Sequence, residues 1–169
     1  ELSGRKLSGA QFVGANFAGA ALVGSDLRDA RFMGANFSGA DLSRADLSDA
    51  QMVGSNFGRA ILADARLRSV EANGVNFSSA NLARVDMRDA QAAGSNFSRA
   101  TLTDARLQAS DMVAANFSKT NARGANFRDS VLTSATFTAG AFENASFRDA
   151  DLSAANLTDA INEGFGLQF

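Results

Sequence analysis

Apolar residues return at every fifth position along this chain. From Leu7 through Phe12, Phe17, Leu22, Leu27 and Phe32 to Leu157 the position holds Leu, Phe or Met, dropping to Ala only at Ala72, Ala92 and Ala122. A second column sits two residues before the first and runs from Ala10 through Ala15, Ala20 and Ser25 to Ala160. It holds only Ala, Ser, Thr, Val or Gly, and no insertion or deletion breaks the phase. Such a fixed repeat dictates the architecture before any single element is assigned. An α-helix cannot carry it, because five steps of about 100° turn successive apolar residues by ~140° and scatter them round the cylinder. Extended chain can, since residues two apart share a face and send the small and the large side chain inward together. Five is odd, so each unit must absorb one residue in a bend, which predicts straight stretches of only two or three residues.

A longer period sets the number of sides. Phe17, Phe37, Phe57, Phe77, Phe97, Phe117 and Phe137 recur every 20 residues. Asn16, Asn36, Asn56, Asn76, Asn96 and Asn116 precede all but the last of them, and Gly14, Gly34, Gly54, Gly74 and Gly94 keep the same spacing. Twenty over five predicts four sides per turn. Stacked at about 4.8 Å, about eight four-sided coils make a rod ~38 Å long, with the seven Phe as its core spine. Ala72 and Ala92 lie on adjacent turns of one side between Met52 and Met112. They predict a thin waist, filled either by neighbouring Phe rings or by a small cavity. The expected organisation is a lead-in over residues 1–6, a solenoid over 7–160 without long loop insertions, and a tail or cap over 161–169. Asn162 takes a central place and Phe165 a small one, so the pattern ends there. Phe165, Leu167 and Phe169 suit a plug, a docking tail or part of an end-to-end contact.

Stretches such as Ala40-Asp41-Leu42-Ser43-Arg44 and Ala45-Asp46-Leu47-Ser48-Asp49 resemble the A(D/N)LXX unit of pentapeptide-repeat proteins, and the resemblance covers nearly the whole chain. It implies an all-β fold, the family's right-handed quadrilateral parallel β-helix. It also implies one candidate activity, that of the members that bind DNA gyrase or topoisomerase as duplex mimics and confer quinolone resistance.

Composition narrows the chemistry. The chain has no Cys, His, Trp or Tyr, which removes disulfides, thiolate and imidazole metal sites and most nucleophile-base pairs. No enzyme activity, cofactor, metal or small-molecule substrate is expected. Paired carboxylates on a convex rod also lack the desolvated cleft that sets an acid apart from a base. A net charge of −2 names no partner and argues against nucleic acid, and against a strongly acidic mimic of it. No run of ~18 apolar residues is present to span a bilayer. Lack of cysteine fits a reducing cytoplasm and an oxidising exterior alike. The compartment stays open, with the bacterial cytoplasm preferred and an exported or periplasmic form as the alternative.

Stacking turns each outward position into a column, and four columns are chemically biased. Val13, Met33, Val53 and Val113, with Asn73 and Ala93 between them, form an apolar strip bordered by the glycine column, a candidate interface. Asp29, Asp49, Asp89, Asp129 and Asp149 form a candidate acidic face, with Arg28, Arg68, Arg88, Arg128 and Arg148 beside them expected to neutralise it. Arg44, Asp64, Arg84 and Asp104 alternate in sign and read as a register lock. Arg59, Arg99 and Lys119 make a modestly basic column without the aromatic neighbours that nucleic-acid binding uses. The Asn column is expected to hydrogen-bond its own turns and not to hold a ligand. Together these features favour a structural or protein-interaction rod that meets a protein partner or itself, side-to-side or end-to-end.

Overall fold

A computed structural model of the protein describes residues 1–160. Every residue just before a central position pairs in parallel with the residue 20 positions on, from Lys6↔Asp26 to Thr136↔Asn156. The offset never changes among the described residues, so the chain winds as a four-sided parallel β-helix with no inserted loop. Each side contributes one isolated bridge and then a turn, which is as little strand as the odd repeat allows. The tail over 161–169, with Phe165, Leu167 and Phe169, lies outside the described residues.

We number the sides by their central residues. Side 1 carries Leu2, Leu22, Leu42, Leu62, Leu82, Leu102, Ala122 and Phe142; side 2 carries Leu7, Leu27, Leu47, Leu67, Met87, Leu107, Phe127 and Phe147. Side 3 carries Phe12, Phe32, Met52, Ala72, Ala92, Met112, Leu132 and Leu152; side 4 carries the Phe spine and then Leu157.

One unit shows why five residues suffice. In Ala40–Arg44 the Ala40 amide closes the preceding turn on the Phe37 carbonyl at 3.0 Å, and the Asp41 amide reaches the Ala20 carbonyl one coil earlier at 2.9 Å. The Leu42 and Arg44 amides donate to Ile61 and Ala63 one coil later, at 2.7 and 3.0 Å. The fifth amide, Ser43, has no backbone acceptor and donates instead to Asp41 Oδ1 at 2.9 Å. Buried or half-buried amides need partners, and here a side chain supplies the missing one. The same bond from two residues on reaches Asn36, Asn56, Asn76, Asn96 and Asn116 at 2.9–3.1 Å. Asp or Asn before the central residue is therefore a turn cap, as the sequence suggests. Its amide end also links coils, Asn56 Nδ2 to Asn36 Oδ1 at 3.2 Å and Asn76 Nδ2 to Asn56 Oδ1 at 2.9 Å.

The second residue after each centre sits in the left-handed region, with φ of 54–61° wherever it is not glycine. A positive φ at only the third residue of a hydrogen-bonded four-residue turn is type II geometry. Most of these positions are not glycine, and the left-handed conformation costs an L-residue about 1–2 kcal/mol. Ala109, at φ 57° and exposed, has no compensating side-chain bond. After the extra flexibility of unfolded glycine is subtracted, Ala109→Gly is expected to raise stability by about 0.5–1 kcal/mol in urea titration.

The interior follows the two inward columns, and the central residues from Leu22 to Phe147 are buried. Along side 4 the rings of Phe17, Phe37 and Phe57 stack at 4.8 and 4.7 Å, and those of Phe77, Phe97, Phe117 and Phe137 at 5.0–5.1 Å. The exception is Phe57–Phe77, opened to 5.5 Å and tilted by 32°. That break falls where the neighbouring side exchanges Met52 for Ala72, so the rings lean at the level of the predicted waist. Buried hydroxyls in the small column clamp the coils: Ser95 Oγ donates to the Ala72 carbonyl at 2.6 Å, and Thr120 Oγ1 to the Phe97 carbonyl at 2.7 Å.

Candidate interaction surfaces

Outward side chains come from three positions of each unit, and the turn aims them differently. The residues before and after the centre are two apart on extended chain and project together. The left-handed residue that follows is swung away from them. This geometry decides the pairing on side 2, where charge is densest.

There Arg28 forks onto Asp26 at 2.8 Å through both Nε and Nη2, and Arg88 onto Asp86 at 2.8 and 2.7 Å. Arg68 approaches Asp86 at 3.9 Å and Arg66 approaches Asp46 at 3.7 Å. The side-chain hydrogen bond from the Arg28 guanidinium holds the Asp26 carboxyl down at about 2, and Arg88 lowers Asp86 in the same way. The acidic column expected from the sequence is therefore not the one the arginines serve. Asp29, Asp49, Asp89 and Asp129 occupy left-handed turn positions, exposed and without an ion pair among the described residues; only Asp149 is paired, with Arg148 at 3.1 Å. Their acidity coincides with a conformation that Asp tolerates better than most residues. The signal for the true pairing was present, since Arg28 and Asp26 are two apart.

On side 1 the alternating column forms one fork, Arg84 onto Asp64 at 2.7 Å through both nitrogens. Asp104 leans over Gly124, and Arg44 has no ion pair among the described residues. A shallow groove runs between this column and Arg66, Asp86 and Arg106, with opposite charges alternating both along and across it. A second shallow groove on side 4 is lined by Asn56, Asn76 and Asn96, by Ser38, Ser78 and Ser98, and by Arg59 and Arg99. The modestly basic column borders that groove, and Arg59, Arg99 and Lys119 form no ion pair among the described residues.

Side 3 differs from the rest. Val13, Met33 and Val53 are 61%, 44% and 40% exposed in one line, while Asn73, Ala93 and Val113 are half-buried. Asn73 folds along the surface, its Oδ1 accepting the Ala93 amide at 2.9 Å. Beside them Gly14, Gly34, Gly54, Gly74 and Gly94 present bare backbone, with nothing near the direction a side chain would take. The turn alone does not demand glycine there, because the same conformation elsewhere carries Asp, Arg, Ser, Lys or Ala. The result is a flat apolar strip with few charges.

The profile of pentapeptide repeats matches residues 2–34, 10–49, 110–149 and 140–161, and that of a pentapeptide repeat region matches 48–117. No curated protein sequence matches the chain. Among solved structures, full-length QnrB1, a plasmid-mediated fluoroquinolone resistance protein, is 25% identical with a TM-score of 0.61, over 79% of this chain and 72% of that one. A trypsin-treated QnrB1 variant is 25% identical with a TM-score of 0.56, over 90% and 77% of the two chains. HetL, a pentapeptide-repeat protein involved in heterocyst differentiation regulation in the cyanobacterium Nostoc, is 24% identical over 95% and 88%, with a TM-score of 0.34. Repeat, bridge pattern and family profiles agree over almost the whole chain, and the protein belongs to the pentapeptide-repeat family.

Proposed function

We propose that this protein is a non-catalytic interaction rod, a right-handed solenoid of about eight coils that engages a protein partner through side 3. The apolar strip of Val13, Met33 and Val53 beside an unobstructed glycine column carries the reading. Contiguous exposed apolar surface favours contact with another macromolecule, and a repeat protein's function resides in such surfaces. The remaining sides are more polar by contrast: side 2 carries the Arg28–Asp26 and Arg88–Asp86 forks beside exposed aspartates, side 1 the Arg84–Asp64 fork, and side 4 an Asn column bonded to its own turns beside Arg59, Arg99 and Lys119. Among the described residues no helix is long and apolar enough to cross a membrane. Wild type and Val53→Lys used as parallel baits test the assignment. A partner held by wild type and lost at least tenfold with the lysine supports it; identical captured sets overturn it.

The likeness to QnrB1 favours a second reading, a gyrase-binding duplex mimic that protects against fluoroquinolones. Its balance of charge counts against it, since duplex DNA carries one negative charge per ≈1.7 Å and this chain totals −2. Expression in a fluoroquinolone-sensitive bacterium decides: unchanged inhibitory concentration, with no effect of the protein on gyrase supercoiling, removes the reading.

A further inference from the structure

Resting on side 3 as an interaction surface, we propose that its partner is a second copy of this chain, docked antiparallel about a two-fold axis through Val53. The inference comes from the order of residues along the side. Parallel bridges place Gln11, Arg31, Gln51, Glu71 and Gln91 in one column, each next to the last. The column continues through Asp111 and Val131 to Asp151. Its first five residues are symmetric in polarity and antisymmetric in charge about Gln51, and the last three lie beyond the overlap of an antiparallel pair centred there. Arg31 and Glu71 stand two coils apart, ~9.6 Å at the usual spacing, and neither has an ion-pair partner among the described residues.

An in-plane two-fold axis perpendicular to the rod keeps columns facing themselves and reverses the order of coils. Centred on Val53, it sets Arg31 against Glu71 of the second copy and Glu71 against Arg31, two opposite-charge contacts from one operation. Gln faces Gln, Val53 faces Val53, and Met33 lies over Asn73, whose amide is already folded flat. The glycine column meets itself from Gly14 against Gly94 to Gly54 against Gly54, and so lets the two backbones approach closely. A two-fold axis along the rod would instead set Arg31 against Gly34 and pair no charges, so the surface specifies the antiparallel arrangement. Self-complementarity of this kind is what an isologous interface requires.

The contact is small. Five coils by about three residues is roughly 24 Å by 10 Å, or ~240 Å² per copy, about a third of a standard stable interface. The dimer is accordingly weak and reversible, populated at tens to hundreds of micromolar, and it weakens with salt because its specific contacts are exposed ion pairs.

Sedimentation velocity over about 10–500 μM reads the association. Arg31→Glu and Glu71→Arg each create two like-charge contacts and are expected to weaken self-association at least tenfold. An equimolar mixture of the two restores a dimer, and so does the R31E/E71R double variant. Cysteine crosslinking gives an independent readout, because the chain contains no Cys. With a short bifunctional maleimide, Val53→Cys should crosslink to itself faster than Val13→Cys, although position 13 is the more exposed, at 61% against 40%. Val13→Cys mixed with Ala93→Cys should form the heterodimer. A wild type that stays monomeric to 500 μM, single variants that associate like wild type, a mixture that fails to restore, or crosslinking that simply follows exposure would each overturn the dimer. Loss of partner capture by Val53→Lys would still stand in those cases, so failure of the dimer is distinguishable from failure of side 3 as a contact surface.

Discussion

Phe77→Ala is expected to cost about 3–5 kcal/mol in urea unfolding, with Phe97→Ala alongside it. Both rings are fully buried mid-rod, and Phe77 lies between Phe57 at 5.5 Å and Phe97 at 5.0 Å. Removing a buried ring loses its transfer free energy and leaves a cavity that the stack cannot collapse, because the coil spacing is fixed by backbone bonds above and below. The same substitution at Phe17 is expected to cost markedly less, about 1–2 kcal/mol, because that ring is only partly buried at the first coils. The contrast matters in a solenoid, where each coil is supported only by its neighbours and stability is close to a sum of coil and interface contributions. A loss under about 1 kcal/mol at Phe77 would contradict the register that places this column inside.

That register was legible in the sequence because it rests on a strict alternation. A small residue and a large one, two apart, can share the inside of an extended chain, and the 20-residue recurrence of Phe, Asn and Gly leaves four sides as the reading that fits. The role of Asn was legible for the same local reason, since a side chain able to accept a bond from two residues ahead supplies the acceptor the backbone lacks. The surface was less legible. Columns of like residues suggested that Asp29 and Asp89 were the partners of Arg28 and Arg88, whereas the arginines fork onto Asp26 and Asp86. Column order along the rod says nothing of which acid an arginine meets first: Asp26 and Asp86 project beside Arg28 and Arg88, and only where Ser146 stands in that place does Arg148 turn to its left-handed neighbour Asp149. The sign alternation of Arg44, Asp64, Arg84 and Asp104 likewise produces one fork and not a continuous ladder. The waist shows a third limit: Ala72 announces missing volume, and only the lean of the Phe57 and Phe77 rings shows how packing responds.

The inside of the rod sets a further expectation with a pH signature. Leu82 is fully buried on side 1 between Leu62 and Leu102, and its enclosing central and small-column neighbours are apolar. Leu82→Asp places a carboxyl there with no cation to meet it, so burial raises its folded pKa well above the unfolded value of about 3.9. At pH 7 the folded state must take up a proton that the unfolded state does not hold, costing about 1.4 kcal/mol per unit between 3.9 and 7, or roughly 4 kcal/mol. The lost leucine contacts and the buried polar group bring the total to about 5 kcal/mol or more. Because the folded state binds more protons, the sign is fixed: the deficit against wild type shrinks as pH falls from 7 towards 4, where the unfolded state too is about half protonated. Leu82→Asn, similar in shape and unable to titrate, should show a smaller deficit that stays constant over the same range. Urea titrations of all three proteins at pH 4, 5.5 and 7 measure the difference. If the aspartate and asparagine variants kept a fixed gap across that range, the side chain at position 82 would be reaching water, and the closed interior on which the four-sided coil depends would be wrong.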